Sequence, residues 1–271
     1  MSNKELGRKF VIGDVHGTLI ELQELIGQFD LKECDTVVFS GDIVDKGSYS
    51  AECIELAFNL KKTCNVVFVA GNHEDKHYRW VAAEKKRNLT GAPNGIKGAE
   101  GFQKIHDKLS PELWSFIEGS RLLYMTEGFV ILHGGIPPAM RNLPDDCALK
   151  ELYTMPGKQR DFIKNILWTR YVNPKGFPVS LGSEKPEDSY WADVYDGSFG
   201  TVLFGHQPFV QDKVKTFDHA IGLDLGCVYG GYLAAVEIRD GQIVNEYYVK
   251  AKEQWATPYN YQESERDNHV E

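Results

Sequence analysis

The stretch KFVIGDVHG, residues 9–17, decides how this chain reads. Lys9–Ile12 is a short apolar run that stops at a glycine, and an aspartate and a histidine follow at once. Runs of this length and composition fit strands buried on both faces. The same grammar returns four times. Thr36–Ser40 precedes GDIVDKG (41–47), Asn65–Ala70 precedes GNHE (71–74), Phe129–Leu132 precedes HGG (133–135), and Thr201–Phe204 precedes GHQP (205–208). Each predicted strand therefore delivers the chain into a polar, glycine-bearing turn.

Helical patterns separate the first strands. Leu19, Leu22, Leu25 and Ile26 share one face, as do Cys53, Ile54, Ala57 and Phe58. Strand–helix–strand alternation of this kind predicts an α/β core. Two later apolar runs, Ala220–Leu225 and Tyr232–Ile238, continue the strand pattern, and the second passes through Asp240-Gly241 into Ile243–Val249 as a hairpin. That hairpin points to a more antiparallel second half. Lys85–Gly101 and Asn173–Asp188 lack apolar periodicity and read as surface excursions over the rim of a site. No internal repeat or interdomain linker stands out, so one domain is expected over residues 1–252, with a disordered polar tail over 253–271.

Composition narrows the function classes. The chain has 271 residues, 42% of them hydrophobic, which is ample for a core. A formal charge of −9 argues against a broad electrostatic grip on duplex nucleic acid. Cys34, Cys53, Cys64, Cys147 and Cys227 have neither metal-binding nor redox spacing, so reduced thiols are expected. No secretory leader begins the chain and no apolar run is long enough to span a bilayer, which fits a soluble cytoplasmic protein with no membrane partner.

The candidate ligands fall at the strand ends. Asp14 and His16 follow the first predicted strand, Asp42 the second, Asn72 and His73 the third, His133 the fourth and His206 the fifth. Loops beyond strand ends line the functional crevice of α/β sheets, so these residues are expected to converge. Imidazole nitrogens with carboxylate and amide oxygens suit two divalent cations, manganese first, with iron or zinc as alternatives. One carboxylate can bridge two such ions about 3.5–4 Å apart, and a bridging hydroxide would then attack phosphorus in line. A lone histidine is more often a core residue than a ligand, and His77, His106, His219 and His269 lack a comparable setting, so they read as structural or surface residues.

The ordered set GDVHG (13–17), GDIVDKG (41–47), GNHE (71–74), HGG (133–135) and GH (205–206) resembles the phosphoprotein phosphatase branch of the calcineurin-like metallophosphoesterases. Its bacterial members include serine/threonine protein phosphatases and relatives of diadenosine tetraphosphatase. The segments LWTR (167–170) and IGLDLGCVYGGYLAAVEI (221–238) resemble that bacterial subgroup too, so the likeness spans roughly residues 9–250. It implies a four-layer αββα sandwich, two mixed sheets with helices outside. By motif it also implies that Asp14 and His16 hold one metal, that Asp42 bridges, and that Asn72, His133 and His206 hold the other. His73 would protonate the leaving oxygen, with Asp45 orienting its ring.

One residue departs from the pattern. Lys46 stands where the family usually carries arginine, and a compact ammonium replaces a planar fork for phosphate oxygens. Some diadenosine-tetraphosphatase-like relatives share this lysine. Arg170 is the second expected phosphate contact, and Tyr229 is placed to approach the cleft. The leading expectation is a dinuclear phosphomonoesterase of the protein phosphatase type, acting on a phosphorylated protein or a small phosphoester. The alternative is a dinucleoside polyphosphate hydrolase. A nucleic-acid-end phosphatase or a silent binding protein with the same fold completes the field.

Overall fold

The computed structural model describes residues 7–91, 93–96, 99 and 101–257. Strands β1 (Lys9–Ile12), β2 (Thr36–Phe39) and β3 (Asn65–Phe68) pair in parallel, with Val11 opposite Val38 and Val38 opposite Val67. Helices α1 (Leu19–Gly27) and α2 (Ser50–Asn59) make the returns between them, as parallel pairing requires. Alternate residues then face opposite layers. Phe10, Ile12, Val37 and Phe39 pack with Leu22, Leu25 and Ile54 of the helices, whereas Val11 and Val38 turn to the other side.

The second sheet repeats the logic. Strands β4 (Tyr124–Thr126) and β5 (Phe129–Ile131) form an antiparallel pair, and β5 runs parallel to a later strand at Thr201–Phe204. Between them in the chain lies a small three-stranded sheet of β6 (Tyr171–Val172), β7 (Pro178–Val179) and β8 (Ser189–Tyr190), and the Thr201–Phe204 strand is therefore β9. Strands β10 (Lys215–Thr216) and β11 (Ala220–Gly222) complete the order β10-β11-β9-β5-β4. Phe129, Ile131 and Leu203 meet Val11 and Val38 between the two sheets. Val130, Leu132, Val202 and Phe204 face outward onto a layer that includes α6 (Leu149–Leu152), which follows α3 (Asn72–Thr90), α4 (Phe102–His106) and α5 (Pro111–Glu118). Two further short helices, α7 (Gly157–Ile163) and α8 (Trp191–Val194), contribute Ile163 and Trp191 to the same layer. The architecture is the expected four-layer αββα sandwich with two mixed sheets.

Three sequence expectations need correction. The terminal hairpin, β13 (Tyr232–Arg239) and β14 (Gln242–Lys250), does not build the second layer. It joins the first sheet, because β13 pairs antiparallel with β1 along Lys9↔Ile238 to Ile12↔Ala235. The run Ala220–Leu225 is not one strand. It splits into β11 and β12 (Asp224–Leu225), and β12 leaves the second sheet to pair with β13 of the first. Nor is Lys85–Gly101 an excursion throughout, since α3 continues to Thr90. Glu84, Lys85, Lys86 and Arg87 form a solvated helix without an apolar stripe, so periodicity missed it. Gly91 ends it in the left-handed region (φ +70°), its N–H donating to Arg87 O at 2.8 Å.

Asn173–Asp188 likewise contains β7, so that rim is partly ordered by pairing with β6. The first residues of the expected polar tail dock on the domain: Trp255 N donates to Val228 O at 3.0 Å, and its ring meets Tyr49 edge-on. Residues 258–271 of that tail, and His269 with them, lie outside the described residues. Among the described residues, no helix is long and apolar enough to cross a membrane.

Candidate metal centre

The five polar turns open at one end of the paired sheets, where the backbone is held in unusual conformations. His16, Asp42, Asp45, Lys46 and His206 all have positive φ, between +48° and +72°. L-residues rarely adopt this region, and its clustering at one place marks backbone shaped for side-chain placement rather than for local stability. Glycines supply the remaining room. A Cβ on Gly71 would overlap the Asp42 carboxylate, and one on Gly205 would overlap Asp14 Oδ1.

Asp42 stands at the middle. Its Oδ2 lies 3.5 Å from His16 Nε2 and 3.3 Å from His133 Nε2. Two donor groups share it: His16, Asp42 and His73 on one side, Asp42, His133 and His206 on the other, with the donor atoms of each within 4.8 Å of one another. Asn72 joins the second group, its Oδ1 3.0 Å from His133 Nε2. Asp14 lies beside the first group, with Oδ2 3.7 Å from His16 Nε2 and both oxygens accepting the backbone N–H of His206 at 3.1 Å.

Hydrogen bonding to backbone carbonyls fixes which ring nitrogen carries the proton. His16 Nδ1–H donates to Val44 O at 2.9 Å and His133 Nδ1–H to Ser40 O at 3.0 Å, since a carbonyl can only accept. Each ring therefore turns the lone pair of Nε2 toward Asp42. His206 is reversed, with Nε2–H donating to Trp168 O at 3.2 Å and Nδ1 accepting from Arg170 Nη2 at 3.4 Å. Backbone partners that fix tautomer and ring orientation are what ligating histidines need. Burial, then the neighbouring cation, keeps two of these rings neutral: Lys46 acts on His16 and Arg170 on His206, and both titrate well below the usual range.

Charge points the same way. Asp14, Asp42 and Asp224 are all buried. Burial, followed by repulsion from Asp224 and Asp42, raises Asp14 well above the usual carboxylate range. Burial also pushes Asp42 up, but His133, His73 and His16 overcome it and hold Asp42 well below. Buried carboxylates beside imidazole nitrogens form a donor set that fits divalent cations.

Two cations border the donor groups. Lys46 Nζ donates to His16 Nε2 at 2.7 Å and lies 5.1 Å from the Tyr229 ring centroid, so Tyr229 does reach the cleft. Arg170 Nη2 donates to His206 O at 2.8 Å. His73 Nδ1–H donates to Asp45 Oδ2 at 2.6 Å, which leaves Nε2 facing Asp42 Oδ2 at 3.8 Å.

Sequence reasoning missed three residues here. Glu74, fully buried, accepts the backbone N–H groups of Gly71, Asp42 and Ile43 at 2.8–2.9 Å and so ties two of the loops together. Burial, then Asp42, raises its carboxyl to about 7. Its signal was the final residue of GNHE, three positions after the helix cap. Asp224 sits where the chain crosses between sheets, a carboxylate inside an apolar run. His77, set aside as structural, donates from Nε2 to Asp45 Oδ1 at 2.9 Å. His219, by contrast, is exposed, a surface residue.

Comparison with known proteins supplies the family. The calcineurin-like phosphoesterase model matches residues 8–210, a span that carries all the donor residues above. The chain belongs to the calcineurin-like phosphoesterases. These are metal-dependent hydrolases, and the two donor groups provide for divalent cations. An asymmetrical bis(5'-nucleosyl)-tetraphosphatase PrpE of Halalkalibacterium halodurans is 27% identical over 256 residues, covering 87% of this chain and 92% of its own. A symmetrical bis(5'-nucleosyl)-tetraphosphatase of Vibrio cholerae is 26% identical, covering 85% and 95%. Among solved structures, a putative diadenosine tetraphosphatase superposes with a TM-score of 0.66 at 23% identity, covering 93% and 96% of the two chains. A serine/threonine phosphatase of Saccharomyces cerevisiae reaches 0.52 at 14%, covering 96% and 83%. Both structural likenesses establish this phosphoesterase's fold.

Proposed function

We propose that this phosphoesterase hydrolyses dinucleoside polyphosphates, cutting a dinucleoside tetraphosphate asymmetrically to a nucleoside monophosphate and a nucleoside triphosphate. The observation that carries the reading is a cavity of about 390 Å³ that shares Trp168 and Arg170 with the metal centre. Pro178, Val179 and Leu181 give it apolar walls. Apolar walls beside the polar side chains of Asn165, Thr169, Arg170 and Ser180 suit a nucleoside, and the same Trp168 and Arg170 touch His206 of the second donor group. Lys76, Arg79 and Lys164 lie 5.8–5.9 Å from the Trp168 ring centroid, a positive field beside the centre that favours a polyphosphate chain. The tetraphosphatase relatives support the same substrate class.

In this reading Asp14 and His16 serve one cation, Asp42 both, and Asn72, His133 and His206 the other, with manganese the expected ion. When bound, such cations acidify water and neutralise phosphoryl oxygens. Lys46 and Arg170 hold the non-bridging oxygens of the phosphate under attack. His73 delivers a proton from Nε2 to the leaving oxygen, and Asp45 keeps its ring in place through Nδ1. Free thiols at all five cysteines fit the expected cytoplasmic location.

A protein phosphatase activity is the second reading, favoured by the fold shared with the yeast serine/threonine phosphatase. The purified enzyme with added manganese is to be compared on diadenosine tetraphosphate and a phosphoserine peptide. The expected kcat/KM favours the dinucleotide by at least ~100-fold, equivalent to about 2.7 kcal/mol of transition-state binding, with AMP and ATP as products. A preference for the peptide overturns the substrate, two ADP overturn the asymmetry, and activity that survives complete metal removal overturns the metal roles.

A further inference from the structure

His77 and His106 belong to no motif, yet they extend the His73–Asp45 pair into a chain of four side chains. Asp45 accepts from His73 through Oδ2 at 2.6 Å and from His77 through Oδ1 at 2.9 Å. Behind it, His77 Nδ1 meets His106 Nε2 at 2.9 Å. The proton pattern follows from valence. His77 gives its Nε2–H to the carboxylate, so its Nδ1 presents a lone pair and a neutral His106 fills it with Nε2–H. The order is His106 to His77 to Asp45, with His73 donating from the opposite side.

The chain is clamped. His73 and His77 are one turn apart on α3 and so lie on one face. His77 stacks on Phe102 with ring centroids 3.8 Å apart and planes within 9°. His106 lies 4.9 Å from both Trp80 and Trp114. Phe102 and His106 are the first and last residues of α4, so this short helix is seated on the face of α3 that carries His77. The side chain of His77 is 1% exposed against 14% for His73. His73 is open to solvent and His77 is closed off from it.

We propose that His77 and His106 are positioning residues that hold Asp45 in one orientation, so that His73 presents its Nε2 proton to the leaving oxygen. Without a second donor, the Asp45 carboxylate is free to rotate about its Cβ–Cγ bond and loses its fixed grip on His73. The assignment rests on the reading of His73 as proton donor. It also gives α4 a role in the reaction although none of its residues reaches the cleft.

The test compares phenyl phosphate, whose leaving group needs a proton, with 2,4-dinitrophenyl phosphate, whose leaving group does not, on manganese-loaded enzyme. His73→Ala should lose ~100-fold or more on the phenyl ester and less than ~10-fold on the dinitrophenyl ester. Equal losses there sink the proton-donor reading itself. Given that pattern, His77→Phe, which keeps the stack on Phe102, should lose about tenfold on the phenyl ester alone, with KM unchanged. His77→Gln restores an N–H toward Asp45 and should recover most of the loss. Equal losses of His77→Phe on both esters, no loss on either, or no recovery in His77→Gln would overturn the relay. A second arm needs no turnover: in histidine-labelled protein, the NMR signal of the His73 Nδ1 proton should shift in His77→Phe and His106→Phe, and return in His77→Gln. An unmoved signal speaks against the relay whatever the kinetics.

Discussion

Asp42 Oδ2 and His133 Nε2 stand 3.3 Å apart, although one residue follows β2 of the first sheet and the other follows β5 of the second. The contact closes the open end of the sandwich and makes Asp42 common to both donor groups. Asp42→Asn keeps the shape but removes the charge that both groups need. It should lower kcat/KM by at least ~100-fold and cut bound metal from two ions per chain, measured by elemental analysis beside activity. Wild-type metal content with wild-type activity would remove Asp42 from the centre.

Gly205 makes a separate prediction, because it touches the site only through the space it leaves. A methyl group there overlaps Asp14 Oδ1 and approaches His133 Nδ1. Gly205→Ala must therefore displace the Asp14 carboxylate or the turn that carries His206. The expected destabilisation is about 1–3 kcal/mol, accompanied by weaker metal binding in a chelator competition. A variant that melts earlier but holds metal normally would show that the turn, not Asp14, had given way.

His106 carries a pH dependence of stability. Burial, then the neighbouring His77, lowers its pKa to about 4, against 6.5 for a free histidine. The unfolded chain thus binds a proton between those values when the folded chain does not. Stability rises with pH in that window, so this contribution is intact above about pH 6.5 and is lost as pH falls toward 4. Urea midpoints recorded from pH 7 to pH 4 should fall more steeply for the wild type than for His106→Gln. Parallel curves would mean that His106 does not titrate in this way.

The thiols divide by exposure. Cys34 is exposed, whereas Cys53, Cys64 and Cys227 are buried. Burial also raises the thiol of Cys227 to about 12, and Cys53 rises further still. The reagent needs access and a thiolate, so iodoacetamide at pH 8 should label the exposed Cys34 first, and Cys53 and Cys227 only after unfolding. Peptide mapping after timed alkylation measures this. Early labelling of Cys227 would contradict its placement beside Thr18.

Where the sequence was legible, the reason was local. An apolar run followed by a glycine and a ligand-type residue needs no long-range information, and the β1, β2, β3 and β9 segments begin where they were expected. Illegible features depended on partners distant in the chain. Nothing in Tyr232–Ile238 says that it pairs with β1 rather than with the second sheet, because pairing is chosen by the whole core. The solvated end of α3 carried no apolar stripe to reveal it.

The same division runs through the centre itself. The sequence alone determined that Asp14, His16, Asp42, Asn72, His133 and His206 end up together, since each is attached to a strand end and strand ends of one sandwich share an edge. Tertiary structure alone decided what each side chain does there. It set the Asp14 carboxylate against the His206 backbone N–H, turned Nε2 of His16 and His133 toward Asp42, and placed His77 behind Asp45. Chain order fixes where a residue is delivered. Hydrogen-bond direction and ring orientation arise only once the surrounding backbone has closed, because their partners come from elsewhere in the chain.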